Sequence, residues 1–211
     1  MLGTPKRDRI AERRSTTRQE IVDAAWDVSR ERGLSQLTLR DVAQRVGMKA
    51  PSLYSHFDSK NAIYDAMFAQ AWTECRDVMK AARARVPPDA CGALRLFSRA
   101  FFDFSVSDLP RFQLMNQRTI PGFVPSTEAY APAVLTLEVL RDLLATHAIT
   151  AQVDIDLYLA LVGGLADAQL ANDPGGDRWA RLLDRAIDMY LHDLGIETEV
   201  PHTPTQEGDS L

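Results

Sequence analysis

Residues 38–60 read TLRDVAQRVGMKAPSLYSHFDSK, and the spacing of their apolar and small residues decides the fold. Leu39, Val42, Ala43 and Val46 recur at i, i+3, i+4 and i+7, a single apolar stripe along a short helix. Thr38 stands just before that stripe, where a hydroxyl accepts a hydrogen bond from a free backbone N–H. Gly47 follows its last apolar residue, where a left-handed conformation ends a helix without steric cost. Pro51 suits the first turn of a second helix, whose inward pair is Leu53 and Phe57 at i, i+4. Two such helices joined by so short a turn form a helix-turn-helix.

The solvent side of the second helix carries the chemistry. With Leu53 and Phe57 inward, Pro51, Ser52 and Ser55 point out, Tyr54 and His56 flank them, and Lys49 stands at the entrance. A face needed only for solubility carries Glu and Lys more often. Small residues here let the backbone approach a surface, and the flanking donors reach phosphate oxygens, as a helix in a major groove requires. Ser59 or Asp58 caps a further helix from Lys60, and its free N–H groups beside Lys60 make an anion site. A compact helical corner that binds no nucleic acid would share Gly47 and the apolar positions, but not this outward composition.

Residues 16–68 resemble the DNA-binding domain of the TetR family of bacterial transcriptional regulators. The resemblance runs through Ile21, Ala24, Ala25 and Gly33, then Leu37, Thr38, Asp41, Val42 and Ala43, then Val46, Gly47, Leu53, Tyr54, His56, Phe57 and Lys60. It implies that Thr38, Tyr54, His56 and Lys60 contact phosphates, while Lys49, Ala50, Pro51, Ser52 and Ser55 face bases. Arg40 joins this DNA-contacting set. Ala50-Pro51 departs from the small polar residues usual in that family after the turn.

Charge divides the same way. The chain holds 24 Lys+Arg against 29 Asp+Glu, net −5, yet residues 1–60 hold 12 basic and 8 acidic. An acidic whole argues against indiscriminate coating of nucleic acid, while a basic end is still steered to phosphate. With 45% hydrophobic and 25% charged residues, composition is that of a soluble globular protein. The longest uncharged apolar run, 157–166, is far below the roughly 20 residues that span a bilayer. Residues 1–15 lack the apolar region of a signal peptide, and Cys75 and Cys91 make no disulfide framework, so a cytoplasmic protein is expected.

The expected class is all-α, with about nine helices in an N-terminal three-helix DNA-binding domain and a C-terminal helical domain for ligand binding and dimerisation. The expected division is a flexible basic arm at 1–15, the helix-turn-helix domain at 16–62, the effector and dimerisation domain at 63–195, and a disordered tail at 196–211. Helices are expected at about 16–32, 60–84, 89–106, 110–116, 127–147, 151–171 and 177–193, around the two helices of the motif.

Large side chains crowd the middle of the chain: Phe68, Trp72, Phe97, Phe101, Phe104, Met115, Phe123 and Tyr130. Each alone reads as core; as a set they outline a largely apolar cavity, with Leu161 beside them and Asn116, Arg118 and Gln169 as polar groups. The resemblance implies that an effector binds in this region. Leu157, Leu161, Gly164, Leu165 and Ala168, followed by Trp179, Leu182, Leu183, Ala186, Ile187 and Tyr190, give two helices broad apolar sides. By the resemblance these pack against a second copy, and a two-fold dimer reads a pseudo-palindromic DNA operator. The expected function is a ligand-responsive repressor, with double-stranded DNA, a small, largely apolar molecule and a second copy as partners. No membrane, cofactor or metal is expected. Two other classes stay open: a redox or metal sensor using Cys75 and Cys91, and a helical enzyme fused to a DNA-binding head. Four scattered histidines, with no HExxH, G-x-S-x-G or Walker loop, supply no catalytic constellation, so no enzyme is expected.

Overall fold

A computed structural model describes residues 6–196, and among these there are nine α-helices and no strand. Their order is α1 (Lys6–Arg32), α2 (Leu39–Val46), α3 (Ala50–Leu53), α4 (Lys60–Arg83), α5 (Ala90–Val106), α6 (Leu109–Asn116), α7 (Thr127–Ala145), α8 (Gln152–Asn172) and α9 (Leu183–Asp193). Single 3₁₀ turns at Leu34–Gln36 and Ala180–Leu182 complete it. The helices begin where short polar side chains capture their free N–H groups. Thr38, Ser59, Asp89, Asp108 and Ser126 each accept from the backbone three residues on, closing the first turns of α2, α4, α5, α6 and α7. Gly47 ends α2 at φ 75°, in the left-handed region.

The head consists of α1, α2, α3 and the start of α4, closed around Ile21, Ala25, Leu37, Val42, Leu53, Phe57 and Ile63, none more than 2% exposed. In the body α4 packs along α7, and α5 lies against α4, α8 and α9. Both parts share one apolar core, because α4 buries Ile63 and Tyr64 in the head and Met67, Phe68, Ala71, Cys75 and Met79 in the body.

Two elements differ from the sequence reading. Residues 6–15, expected within a flexible arm, continue α1; neither Gly nor Pro interrupts the chain between Lys6 and Arg32, so nothing stops the helix there. Residues 1–5 and the tail at 197–211 lie outside the described residues. α9 begins six residues later than expected, because side chains of α8 and its end take the amides that would start it. The Gln169 carbonyl oxygen accepts from Trp179 N (2.9 Å) and Ala180 N (3.2 Å), and the Asp173 carboxylate from Arg178 N (2.9 Å). The hydrogen bond from Arg178 is also the main reason the Asp173 carboxyl sits below its usual range.

Gly47 gives a direct test of the turn. A Cβ there meets nothing within 4 Å, so Gly47→Ala costs only the left-handed backbone. Stability should fall by about 1–2 kcal/mol, read as a lower urea midpoint with unchanged slope.

Candidate nucleic-acid interface and interior cavity

α3 is short, and its geometry depends on what holds its two ends. Beyond Leu53 the chain winds on in tighter turns, with Ser55 N donating to the Ser52 carbonyl (3.2 Å), and His56 N and Phe57 N both donating to Leu53 (2.9 and 3.0 Å). This carries Phe57 into the core beside Leu53 and leaves Pro51, Ser52, Tyr54 and Ser55 exposed. The carbonyl end of the segment is met by cations from α1. Arg14 donates to the Ser55 carbonyl at 3.2 Å; Arg18 donates to the His56 carbonyl and lies 4.0 Å over the Phe57 ring. Cations at the last carbonyls suit the negative end of a helical segment. Sequence reasoning missed both arginines, because their partners are 41 and 38 residues away.

The ten residues expected at DNA do not all stand free. Thr38, Arg40, Lys49, Pro51, Ser52, Tyr54 and Ser55 are exposed on one side of the head. Ala50 instead packs against the core, because the first turn of α3 leans on α2. The Thr38 hydroxyl accepts from Asp41 N (3.1 Å) and donates to its carboxylate (2.6 Å), which is the main reason that carboxyl sits below its usual range. Lys60 turns back to donate to the Ser35 carbonyl at 3.2 Å, and its partial burial lowers its pKa. His56 is half-buried, and its Nδ1 has no partner among the described residues.

In the body, Trp72, Phe97, Phe101, Asn116 and Tyr130 border a cavity of about 310 Å3 together with Met79, Thr136, Leu140, Tyr158 and Val162. Phe68, Met115, Arg118 and Phe123 line a second compartment of about 210 Å3, which Asn116 and Tyr130 also border. Three residues expected at the ligand line neither. Phe104 lies under the Arg111 guanidinium at 3.8 Å, Leu161 packs against the core, and Gln169 is buried holding the α8–α9 connection. Of the residues expected at a dimer interface, Leu183, Ala186, Ile187 and Tyr190 are buried within the protomer; Tyr190 also donates to the Asp154 carbonyl at 3.0 Å. Leu161, Leu165, Ala168 and Trp179 are half-buried, while Leu157, Gly164 and Leu182 face out. Val153 and Met189, which sequence reasoning passed over, are 71% and 63% exposed on the same two helices.

The two thiols differ. Burial pushes Cys75 up to about 12, the pKa of an inert core thiol; Cys91 is half-buried, 3.5 Å from the Asp188 carboxylate. Among the described residues no helix is long and apolar enough to cross a membrane.

Residues 21–67 match the family described as bacterial regulatory proteins, tetR family. Over 107 residues the chain is 34% identical to an uncharacterized HTH-type transcriptional regulator of Haemophilus influenzae, covering 50% of this chain and 51% of that one. Over 50 residues it is 40% identical to the tetracycline repressor protein class D of Escherichia coli, covering 24% of this chain and 23% of the repressor. The chain thus spans about half the length of the first relative and about a quarter of the second. The transcriptional regulator FadR from Bacillus subtilis, solved in complex with stearoyl-CoA, shares the fold at a TM-score of 0.67 and 15% identity, over 82% of this chain and 96% of that one.

Arg18 should matter to the motif before any DNA is present. Arg18→Ala removes both its bond to the segment's end and its stacking on Phe57. Amide exchange at residues 52–57 should then speed by about tenfold, with α7 and α8 unchanged.

Proposed function

We propose that the chain is a TetR-type regulator, a ligand-responsive repressor binding a pseudo-palindromic operator as a homodimer, a reading supported by the family match over residues 21–67. The observation that carries this reading is the bare outer side of α3: Pro51, Ser52 and Ser55 exposed over a buried Leu53 and Phe57. In this reading residues 16–62 read DNA, and 63–195 hold the effector and the second copy. Ser52 and Ser55 meet base edges; Arg40, Tyr54 and His56 meet phosphates, with the Thr38 end of α2 beside them, and so does Lys49, which the resemblance set among the base-facing residues but which stands before α3 as its N-cap residue. Lys60 reaches a phosphate only by leaving the Ser35 carbonyl, so its contribution is smaller than that of Lys49.

The dimer forms through the outward side of α8 and α9, where Val153, Leu157, Gly164, Leu182 and Met189 face solvent in the protomer. An exposed apolar stripe with a small residue at its centre suits close helix–helix contact. Such a dimer presents two α3 segments to successive major-groove faces, about 34–36 Å apart. The effector occupies the two compartments of the body; the fold neighbour solved with stearoyl-CoA supports a guest with a long apolar part. Effector there favours one arrangement of α4 and α6. Arg30 on α1 binds Asp108 at the start of α6 (2.8 Å), so the head follows. The ligand shifts the equilibrium only by its differential affinity for the two arrangements.

DNA selected by the protein from a random duplex library tests the reading, with affinity followed by anisotropy against salt. Lys49→Ala should weaken binding to all sequences and flatten the log–log salt slope by about 0.9, one phosphate contact. Ser52→Ala should instead change base preference at constant slope. A protein that enriches no sequence overturns the proposal.

Leu157→Asp places a carboxylate in the proposed interface without touching the head. Sedimentation should show a protomer where the parent is a dimer, and operator affinity should fall by at least a hundredfold as the second contact site is lost. An undiminished dimer overturns this placement of the interface.

A further inference from the structure

The two compartments of the body differ in charge, and that difference selects a ligand class. No charged residue lines the inner one, about 310 Å3, whose walls include Trp72, Phe97, Leu140 and Val162. Two of its hydroxyls are already committed. Tyr158 and Ser98 bond each other at 2.6 Å, and Thr136 donates to the Pro132 carbonyl at 2.8 Å. An ion placed here would lose its hydration and meet no opposite charge, only neutral donors such as the unpartnered Trp72 Nε1.

The outer compartment, about 210 Å3, has one charged residue in its lining, Arg118. Arg118 is exposed and takes part in none of the ion pairs among the described residues. Two carboxylates are bonded to residues at or beside this lining, neither of them to Arg118. Gln117 donates to Asp167 at 2.6 Å, and Ser126 gives Asp65 both its N–H (2.7 Å) and its hydroxyl (2.6 Å). Asn116 and Tyr130 border both compartments, so an apolar space and a cationic mouth meet across two side chains.

We infer that the effector is an amphipathic oxyanion, its apolar body in the inner compartment and its carboxylate-type head at Arg118. This specifies the ligand of the regulator proposed above and rests on that reading. The guanidinium fork donates to two carboxylate oxygens side by side and repels a cationic head. At about 30 Å3 each, on the order of ten methylene-sized groups fill the inner compartment, and each buried methylene strengthens binding about fourfold.

Calorimetry on the full chain with three probes sharing one decyl body tests this: decanoate, decan-1-ol and decyltrimethylammonium, each below its aggregation concentration. Decanoate should bind tightest, about fivefold over the alcohol, the size expected of a partly exposed ion pair. Arg118→Ala should reduce decanoate to the alcohol's affinity and leave the alcohol unchanged. Gly163→Phe should weaken all three, since Gly163 borders the inner compartment and a Cβ there meets nothing within 4 Å. Alcohol or cation binding as tightly as decanoate, decanoate indifferent to Arg118→Ala, or no binding of any probe overturns the inference. Anisotropy on library-selected DNA separates the two failures. A protein that selects DNA but shows one of those results overturns the ligand class alone; one that selects no DNA overturns the regulator reading.

Discussion

Tyr64 joins the head to the cavity side of the body, and the arrangement of both depends on its burial. It lies on the second turn of α4, with no exposed surface, and its hydroxyl donates to the Leu34 carbonyl at 2.5 Å. The other side of its ring meets Phe123, centroids 5.5 Å apart, and Phe123 lines the outer compartment. Lys60 lies 5.3 Å from the ring centroid while donating to the Ser35 carbonyl. One phenol thus touches the connection before α2, the start of α4 and the wall of the outer compartment. Burial pushes its hydroxyl up to about 12, so it stays a neutral donor across the accessible pH range. α4 continues from there as one helix of 24 residues, on the order of 36 Å long. Phe123 and Leu34 are thus joined through a single side chain of one continuous helix.

The parts legible in the sequence are those whose cause is local. The α2 stripe, the Thr38 cap, the left-handed Gly47 and the Leu53–Phe57 pair each need only residues within a few positions of one another, and the structure holds all of them. The later start of α9 was not legible, because Gln169 reaches across ten residues to take the Trp179 amide and eleven to take that of Ala180. A polar residue among apolar ones reads as a ligand contact. Here it is a structural bracket, 2% exposed. The clamp of Arg14 and Arg18 on the carbonyl end of α3 was hidden in the same way, behind a separation of about forty residues.

The apolar faces of α8 and α9 show a different limit. α8 carries apolar residues nearly all round, so periodicity cannot phase it: Ile155, Tyr158, Val162 and Ala166 lie inward, with Leu157 and Gly164 outward. On α9 the sequence places Leu183, Ala186, Ile187 and Tyr190 on one apolar side, and that side is the one the protomer itself consumes. The exposed positions, Leu182 and Met189, border it. The cavity read out only in part, with Phe104, Leu161 and Gln169 misplaced, for a related reason. An aromatic ring lining a void and one packed elsewhere look alike in sequence: Phe101 borders the cavity, while Phe104 lies under Arg111.

Magnitudes limit how the body can act on the head. Regulation of DNA affinity needs a coupling of about 1–3 kcal/mol between the two sites. The Arg30–Asp108 pair joins α1 to α6, but Arg30 is half exposed, and such a pair contributes at most about 1 kcal/mol. Two further links act alongside it. Trp26 Nε1 donates to Gln70 of α4 at 3.0 Å, and Tyr64 donates to Leu34. Each is worth about 1 kcal/mol. Together the three span the required range, and no one of them reaches its upper end. In the regulator proposed above, coupling would therefore be distributed over α4 and α6. Since Asp108 both caps α6 and holds Arg30, a rotation of α6 that spoils the cap geometry loosens the tether at the same carboxylate.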